Sequence, residues 1–443
     1  MGRPPRWALL QRKLFAELEN VYEPVMAKYV KEDGSLMWPV DPNHVGIDEL
    51  DDAYESFQNW PLLYLLGGNR EYLEISLREY DAITQQFTQY DSGHGHPVTV
   101  KEYEQGYDWF HQGEGYLFFY PLNLAAPDAG RNRERSIRYA GFFMNKDPDA
   151  PNYDGRLKLI RCAFSGSKGP AFRNFTGEPW VYEDWKSFYG LPFGDVPGIT
   201  EIEDIRRPEH AAAMGEIMRE RLSHGDVIAN LAAATMVANA YLHTGDEKYR
   251  TWVKEYVDAW IERAEKNGRL VPDNVGLSGV IGETLSGKWY GGYDGWTWPH
   301  GWLSVGDAVL IAAENATLLT GDMSYMAFAR TQIERLAEQG IEDKGTLRVP
   351  YKYGDAGLQH RYKLWIPGVL QADDGEIVSR DGWLEFQPMD ARFPIHLWHM
   401  SQEASDLALA QRLRNQDTRD WERASSRNRP RVSAAMMPLG RPI

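Results

Sequence analysis

The sequence predicts an all-α fold, an (α/α)6-type toroid of inner and outer helical hairpins in which the sixth hairpin is incomplete or supplied by another helix. Three observations predict it. A turn recurs: Leu-Leu-Gly-Gly-Asn-Arg-Glu-Tyr at Leu65–Tyr72, Leu-His-Thr-Gly-Asp-Glu-Lys-Tyr at Leu242–Tyr249, and Leu-Leu-Thr-Gly-Asp-Met-Ser-Tyr at Leu318–Tyr325. Its Gly ends one helix because it reaches positive φ cheaply, and the next Asn or Asp caps the following helix. Upstream helices are apolar nearly all round and downstream ones carry one apolar stripe, as buried inner and covering outer helices do.

The elements follow in order. A first outer helix spans about Trp7–Val30, its stripe being Leu10, Leu14, Leu18, Val21, Val25 and Tyr29. A loop with Trp38, Asp41 and His44 leads to an inner helix near Asp48–Leu66, returning through Glu71–Tyr90. After a Gly/His loop, Ser92–Gly113, come an inner helix near Glu114–Ala125 and an outer one near Arg131–Asn145. Residues 148–207 form an irregular insertion, too long for an ordinary connection and read as a lid or subdomain. A helix at Glu209–Leu222 closes it and is the candidate for the sixth inner position. Asp226–His243 with Glu247–Lys266, then Leu303–Leu319 with Ser324–Gln339, are two further pairs; Ile395–His399 with Ala404–Arg414 starts the last. One domain thus covers residues 1–415. The polar, Arg-rich tail 416–443 reads as an extended arm able to clasp a neighbouring subunit, so a homo-oligomer is a candidate assembly.

Composition narrows the partners. Net charge is −16, which argues against nucleic acid or an anionic membrane surface. No stretch approaches the ~20 apolar residues of a membrane span, and Met1–Arg12 is not a secretory signal. The visible chain therefore reads as cytoplasmic, or as secreted or periplasmic if a leader has been removed. The single Cys162 excludes an intrachain disulfide and reads as a small buried apolar residue. Asn174 and Asn315 lie in sequons that read as chance matches. The 16 Trp and 24 Tyr fit stacking surfaces for sugar rings as well as a large aromatic core.

Loops after inner helices are short; those before them are long and rich in His, Tyr, Trp, Asp and Arg, so topology gathers the long loops at one rim. The most loaded, Arg269–Trp302, has eight glycines, which let a ligand approach the backbone. It carries Tyr290, Tyr293, Asp294, Trp296, Trp298 and His300; a rigid plug for the barrel is the bland alternative. The second loop carries His94, His96, His111 and Glu114. The His94/His96 spacing suits a metal, but no third ligand follows, so no metal and no cofactor are expected. Glu114 either faces the cavity or only compensates a helix dipole. The third loop, Gly345–Pro394, holds Arg348, Tyr351, Lys352, Arg361 and Arg392; its cations either clamp a carboxylate or pair on the surface. His224 and Asp226 flank another inner-helix start, where Asp226 reads as an N-cap.

The hairpin turns, the Asp273-Asn274 segment and the run Gly-Trp-Thr-Trp-Pro-His-Gly-Trp at Gly295–Trp302 make the chain, over about Trp7–Arg414, resemble the six-hairpin glycosidase superfamily. In character it is similar to the glucuronidases and unsaturated glucuronyl hydrolases of that group. The resemblance implies a carbohydrate-active enzyme on an acidic oligosaccharide or polysaccharide. A glycoside hydrolase needs an acid and a second carboxylate, about 6.5–9.5 Å apart for inversion and about 5 Å for retention; Glu114 and Asp294 are the candidates. A polysaccharide lyase instead draws its base and acid from Tyr290, Tyr293, His300 and His111, with Asn274 and Arg348 neutralising a uronate. His94, His111, Asn274, Tyr293, Trp296, Trp298, Arg348, Tyr351 and Arg392 are the candidate substrate contacts. A sugar isomerase or epimerase built on paired His, His94/His96 or His300 with His396, is the third alternative; a non-catalytic carbohydrate-binding scaffold is a further one.

Overall fold

The structure, a computed structural model, describes residues 4–37, 49–105, 107–172, 179–355, 369–373 and 375–416. Trp38, Asp41, His44, Asn174, Arg361 and the proposed arm beyond Gln416 lie outside the described residues.

The recurring turns do what the sequence asks of them. Gly245 and Gly321 sit in the left-handed region at φ 63° and 73°. The Asp246 and Asp322 carboxylates then accept from the Lys248 and Ser324 amides at 3.1 and 2.9 Å. In the first copy the Asn69 side chain accepts from the Glu71 amide at 3.1 Å.

Two N-terminal helices, α1 (Arg6–Leu18) and α2 (Tyr22–Tyr29), precede five hairpins among the described residues. The first pairs α3 (Glu49–Glu55) and α4 (Trp60–Leu65) with α5 (Glu71–Gln86). The second pairs α6 (Trp109–Tyr116) and α7 (Phe119–Ala125) with α8 (Gly130–Phe143). After α9 (Pro208–Leu222) come α10 (Ala233–Thr244) with α11 (Glu247–Lys266), α12 (Trp302–Thr320) with α13 (Met326–Glu338), and α14 (Arg392–Ser401) with α15 (Ala404–Gln416). The inner wall runs by contact from α3 and α4 to α6 and α7, through the 3-10 turn Ile228–Ala232 and α10 to α12, and on to α14. Outer helices bridge successive inner ones: α5 packs on α4 and α7, α11 on α10 and α12, α13 on α12 and α14. The hairpins therefore step round a toroid, and the loops before inner helices share one rim.

Several expectations need correction. The first two inner helices are each broken in two. Pro61 and Pro121 lack the N–H that a continuous helix would use, so each restarts a helix near its first turn. The expected first helix is also broken, at Glu19–Val21, and it buries nothing: Leu10 and Leu14 stay 55% exposed. Its anchor is Tyr72 of α5, which donates to the Leu18 carbonyl and meets Tyr22 edge-on. The helix α9 is not a sixth inner helix; it packs on the 3-10 turn Ile202–Arg206, and the Trp180 amide donates to the Ala211 carbonyl at 3.0 Å. Asp226 is not a simple cap. It pairs as a strand residue with Val275. Its buried carboxylate accepts from the Ile160 amide, Asn230 and Tyr256 at 2.9–3.2 Å, tying the insertion to the third hairpin.

Among its described residues the third loop carries most of a four-stranded sheet. Strands Ile341–Asp343, Thr346–Tyr353, Trp383–Pro388 and Ser379–Arg380 lie antiparallel in that order. The two long strands are buried over runs of four residues, Val349–Lys352 and Trp383–Phe386, charged residues included, so no period-2 alternation marks them in the sequence. One helix, Trp302–Thr320, is long and apolar enough to cross a membrane by length and composition, but 61% of that stretch is buried as an inner wall of the toroid.

Candidate functional site

The site begins with a buried carboxylate that organises its main loop. Asp273 accepts from the Gly291, Gly292 and Trp296 amides at 2.9, 2.9 and 2.7 Å and from the Asn274 side chain at 2.9 Å. A Cβ at Gly295 would lie 2.2 Å from Asp273 Oδ2, and one at Gly292 2.4 Å from its backbone oxygen, so glycine is required at both. Burial raises the Asp273 carboxyl to about 6 against these hydrogen bonds. The loop so folded turns Tyr293 and Asp294 inward, Asp294 at a left-handed φ of 50°.

They meet the first turn of α6. Asp108 caps this helix, its Oδ1 accepting from the Phe110 and His111 amides at 2.9 and 3.3 Å. Its Oδ2 faces the His111 Nδ1 at 2.9 Å and accepts from the Tyr293 hydroxyl at 3.1 Å. Asp108 is fully buried, which alone would raise its pKa, but His111 and the helix amides hold it below the usual carboxylate range. Asp294, 1% exposed, goes the other way: burial, the Asp108 charge and then Glu114 push it well above that range, with His111 opposing. So Asp294 keeps its proton beside an ionised Asp108. An ionised Asp108 also fixes the proton of His111 on Nδ1.

Around this pair lie groups that reach solvent in part: Glu55 of α3, His111 and Glu114 of α6, and His300. Glu55 is raised by burial and Asp52 and lowered by His111. His300 stacks on Phe110 at 5.1 Å and meets Tyr189 edge-on at 5.2 Å. Burial, then the Lys352 ammonium and His111, bring it down to about 3, so its imidazole is neutral. Lys352 is itself buried, 3.1 Å from Glu385.

The structure thus brings together Glu114, Asp294, Tyr293, His111 and His300. It places the others elsewhere. Tyr290 donates to Asp355 at 2.7 Å, with Lys288 on the same carboxylate, in a separate cleft beside Asp195 and Arg221. Asn274 is a strut: its side chain donates to Asp273 and Lys288 and accepts from the Gly282 amide. Trp296 is wholly buried, donating to the Val271 carbonyl and stacked on Trp302; Trp298 donates to the Gly190 carbonyl and packs on Tyr293. Arg348 pairs with Asp343 within the sheet, and Tyr351 accepts from the Asp390 amide. Arg392 pairs with Asp307 at 2.8 Å, next to the His396–Glu314 pair at 3.0 Å. His94 is exposed in the Asp91–Pro97 turn and faces only His96, at 6.4 Å between rings. Among the described residues, no group of three or more His, Cys, Asp or Glu is placed to hold a metal ion.

Asp108, Asp273, Glu55 and Glu385 were not singled out as site residues, and Lys352 was named only as one of the third loop's cations, not as half of a buried ion pair. Asp108 had a readable signal, since an Asp before Trp-Phe-His-Gln is a natural N-cap. The ion pair had none, because its partners are 33 positions apart on strands that the sequence did not reveal.

By structure the chain is similar to D-mannose isomerase, at 12% identity over 87% of this chain and 77% of that one, TM-score 0.46. It is also similar to cellobiose 2-epimerase from Bacillus thermoamylovorans B4167, at 12% identity over 91% and 87%, TM-score 0.47. At this identity the likeness is one of overall architecture. No curated protein matches the chain by sequence. Residues 1–434 match one family, and the chain belongs to it: the family described as Domain of unknown function (DUF8034).

Proposed function

We propose that the chain is a carbohydrate-active enzyme that moves a proton at the carbon beside a sugar carbonyl, as an isomerase or epimerase does. The observation that carries the reading is the Asp108–His111 pair, whose imidazole reaches solvent in part, with a neutral His300 in the same cluster. Asp108 orients the imidazole and leaves proton transfer to Nε2. In this scheme His111 Nε2 takes the proton from the carbon, the electron pair moves to the carbonyl oxygen, and an enediolate forms. His300, held neutral, donates a hydrogen bond to that oxygen without carrying a charge of its own, as uncharged imidazoles do elsewhere. Return of the proton to the former carbonyl carbon, with the hydroxyl proton of the adjacent carbon passing to the former carbonyl oxygen, gives the isomer; a proton delivered to the opposite face of the first carbon by a second group gives the epimer.

The carboxylates support an uncharged sugar in place of a uronate. Glu55, Asp108, Glu114 and Asp294 crowd the cluster, whereas Arg348 and Arg392 are each engaged by an acid on another element. A hydrolase is the second reading, favoured by a proton-bearing Asp294 beside Glu114. It is weakened by the 1% exposure of Asp294, which keeps that acid from a leaving oxygen.

The test incubates the full chain with neutral reducing mono- and disaccharides in deuterium oxide. Proton NMR follows deuterium entering beside the carbonyl and the appearance of a second sugar. Parallel assays on neutral and uronate oligosaccharides follow new reducing ends and the ultraviolet absorbance of a conjugated double bond. Deuterium incorporation supports the proposal. Reducing ends without it establish the hydrolase, and new absorbance establishes the lyase.

A further inference from the structure

The buried pair Lys352–Glu385 is the charged feature nearest the cluster that the scheme above leaves unused. Its two side chains are 4% and 3% exposed and 3.1 Å apart. Burying an ion pair is costly unless geometry compensates, so its presence asks for a reason. Regular alternation would send Glu385 to the opposite face of the sheet from Leu384 and its cross-strand partner Lys352. Glu385 instead takes a left-handed φ of 56°, which breaks the alternation and brings its carboxylate to the lysine. A non-glycine residue in that region is strained and persists where surroundings impose it.

The strand bearing Lys352 is fastened to the loop bearing His300. The Tyr353 amide donates to the Trp296 carbonyl at 3.0 Å, and the Thr297 hydroxyl donates to the Tyr353 carbonyl at 2.8 Å. A Cβ at Gly301, the residue after His300, would lie 2.8 Å from Lys352 Cγ and 2.1 Å from the Tyr351 carbonyl oxygen. The lysine stem therefore packs against the backbone that carries the imidazole.

We propose that the Lys352–Glu385 pair is a positioning device for His300: the sheet packs the lysine stem against the backbone that carries the imidazole and so sets an ammonium at the base of that loop. Glu385 holds the lysine in place and leaves the regular alternation of its strand to do so. The groups facing His300 are Lys352 from the sheet, His111 and Asp108 from α6, and the rings of Phe110 and Tyr189. Lys352 and His111 oppose a second proton there, Asp108 favours it, and burial is the largest influence against it. The inference rests on the reading of His300 as an uncharged hydrogen-bond donor.

The test is a pH titration of the His300 imidazole by NMR in the full-length protein, assigned by loss of its signal in H300Q. It is run on wild type, K352M, and the double variant K352M/E385L, which removes both charges and remains informative if the single variant does not fold. Removing the ammonium is expected to raise the His300 midpoint by about one pH unit, ~10-fold in proton affinity, while K352R keeps the wild-type midpoint. An unchanged midpoint in folded variants overturns the proposal and leaves the pair a purely structural strut. The readout needs no turnover, so failure of the isomerase reading shows separately, as absence of deuterium incorporation in wild type.

Discussion

Replacing Asp108 by Asn tests the chemistry most directly, because it exchanges one atom. In D108N, Oδ1 still accepts from the Phe110 and His111 amides, now 2.9 and 3.3 Å away, so the helix cap survives. The atom facing His111 Nδ1 at 2.9 Å and the Tyr293 hydroxyl at 3.1 Å becomes an amide nitrogen. A nitrogen that donates forces Nδ1 to accept, which moves the imidazole proton to Nε2 and removes the base from the cavity side. The stability change is that of re-pairing two hydrogen bonds, about 1–2 kcal/mol. Turnover should fall ~10²–10⁴-fold, the usual worth of a positioned acid or base. The assay is the rate of deuterium incorporation beside the carbonyl, with thermal unfolding in parallel. D108A would add the lost cap, about 1 kcal/mol, and is the poorer probe. A folded D108N with wild-type turnover refutes the role of His111.

Asp294 and Asp273 give two further predictions. The Asp294 pKa is raised on folding, so the native state holds a proton that the unfolded chain gives up above its ordinary value of 3.8, and stability is lost as pH rises from there through the folded value. D294N removes that dependence, so its melting temperature should fall less than that of wild type between pH 5 and pH 8 as measured by calorimetry; parallel curves would count against a protonated Asp294. D273A takes the acceptor from three backbone amides, two of them fully buried, at roughly 1–3 kcal/mol each. Its urea midpoint should drop accordingly, with the cluster's activity lost as the loop relaxes; a change below about 1 kcal/mol would mean the loop is held by its aromatic packing instead.

Much of the architecture was legible because its causes are local. A Gly that must take positive φ and an Asn or Asp that must accept from the next amides stand side by side in the chain, so Gly245–Asp246 and Gly321–Asp322 announced their turns. Helical period gave the inner and outer wall for the same reason. Topology then gave the rim, since long loops that all precede inner helices must share it. The convergence of Glu114, Asp294, Tyr293, His111 and His300 follows from that rule together with the loop glycines.

What only tertiary structure decided is which of these groups touch one another and which reach solvent. Asp294 and Glu114 look equivalent as sequence, yet one is 1% exposed and the other is only half-buried. Arg348 and Arg392 look like clamps for an anion until Asp343 and Asp307 are seen beside them. Lys352 and Glu385 meet through a sheet whose register no local pattern fixes. The reason is the range of the forces: turn and cap preferences act over a few residues of chain, whereas burial and charge pairing depend on neighbours that folding brings from tens or hundreds of residues away, as it brings Tyr293 to Asp108.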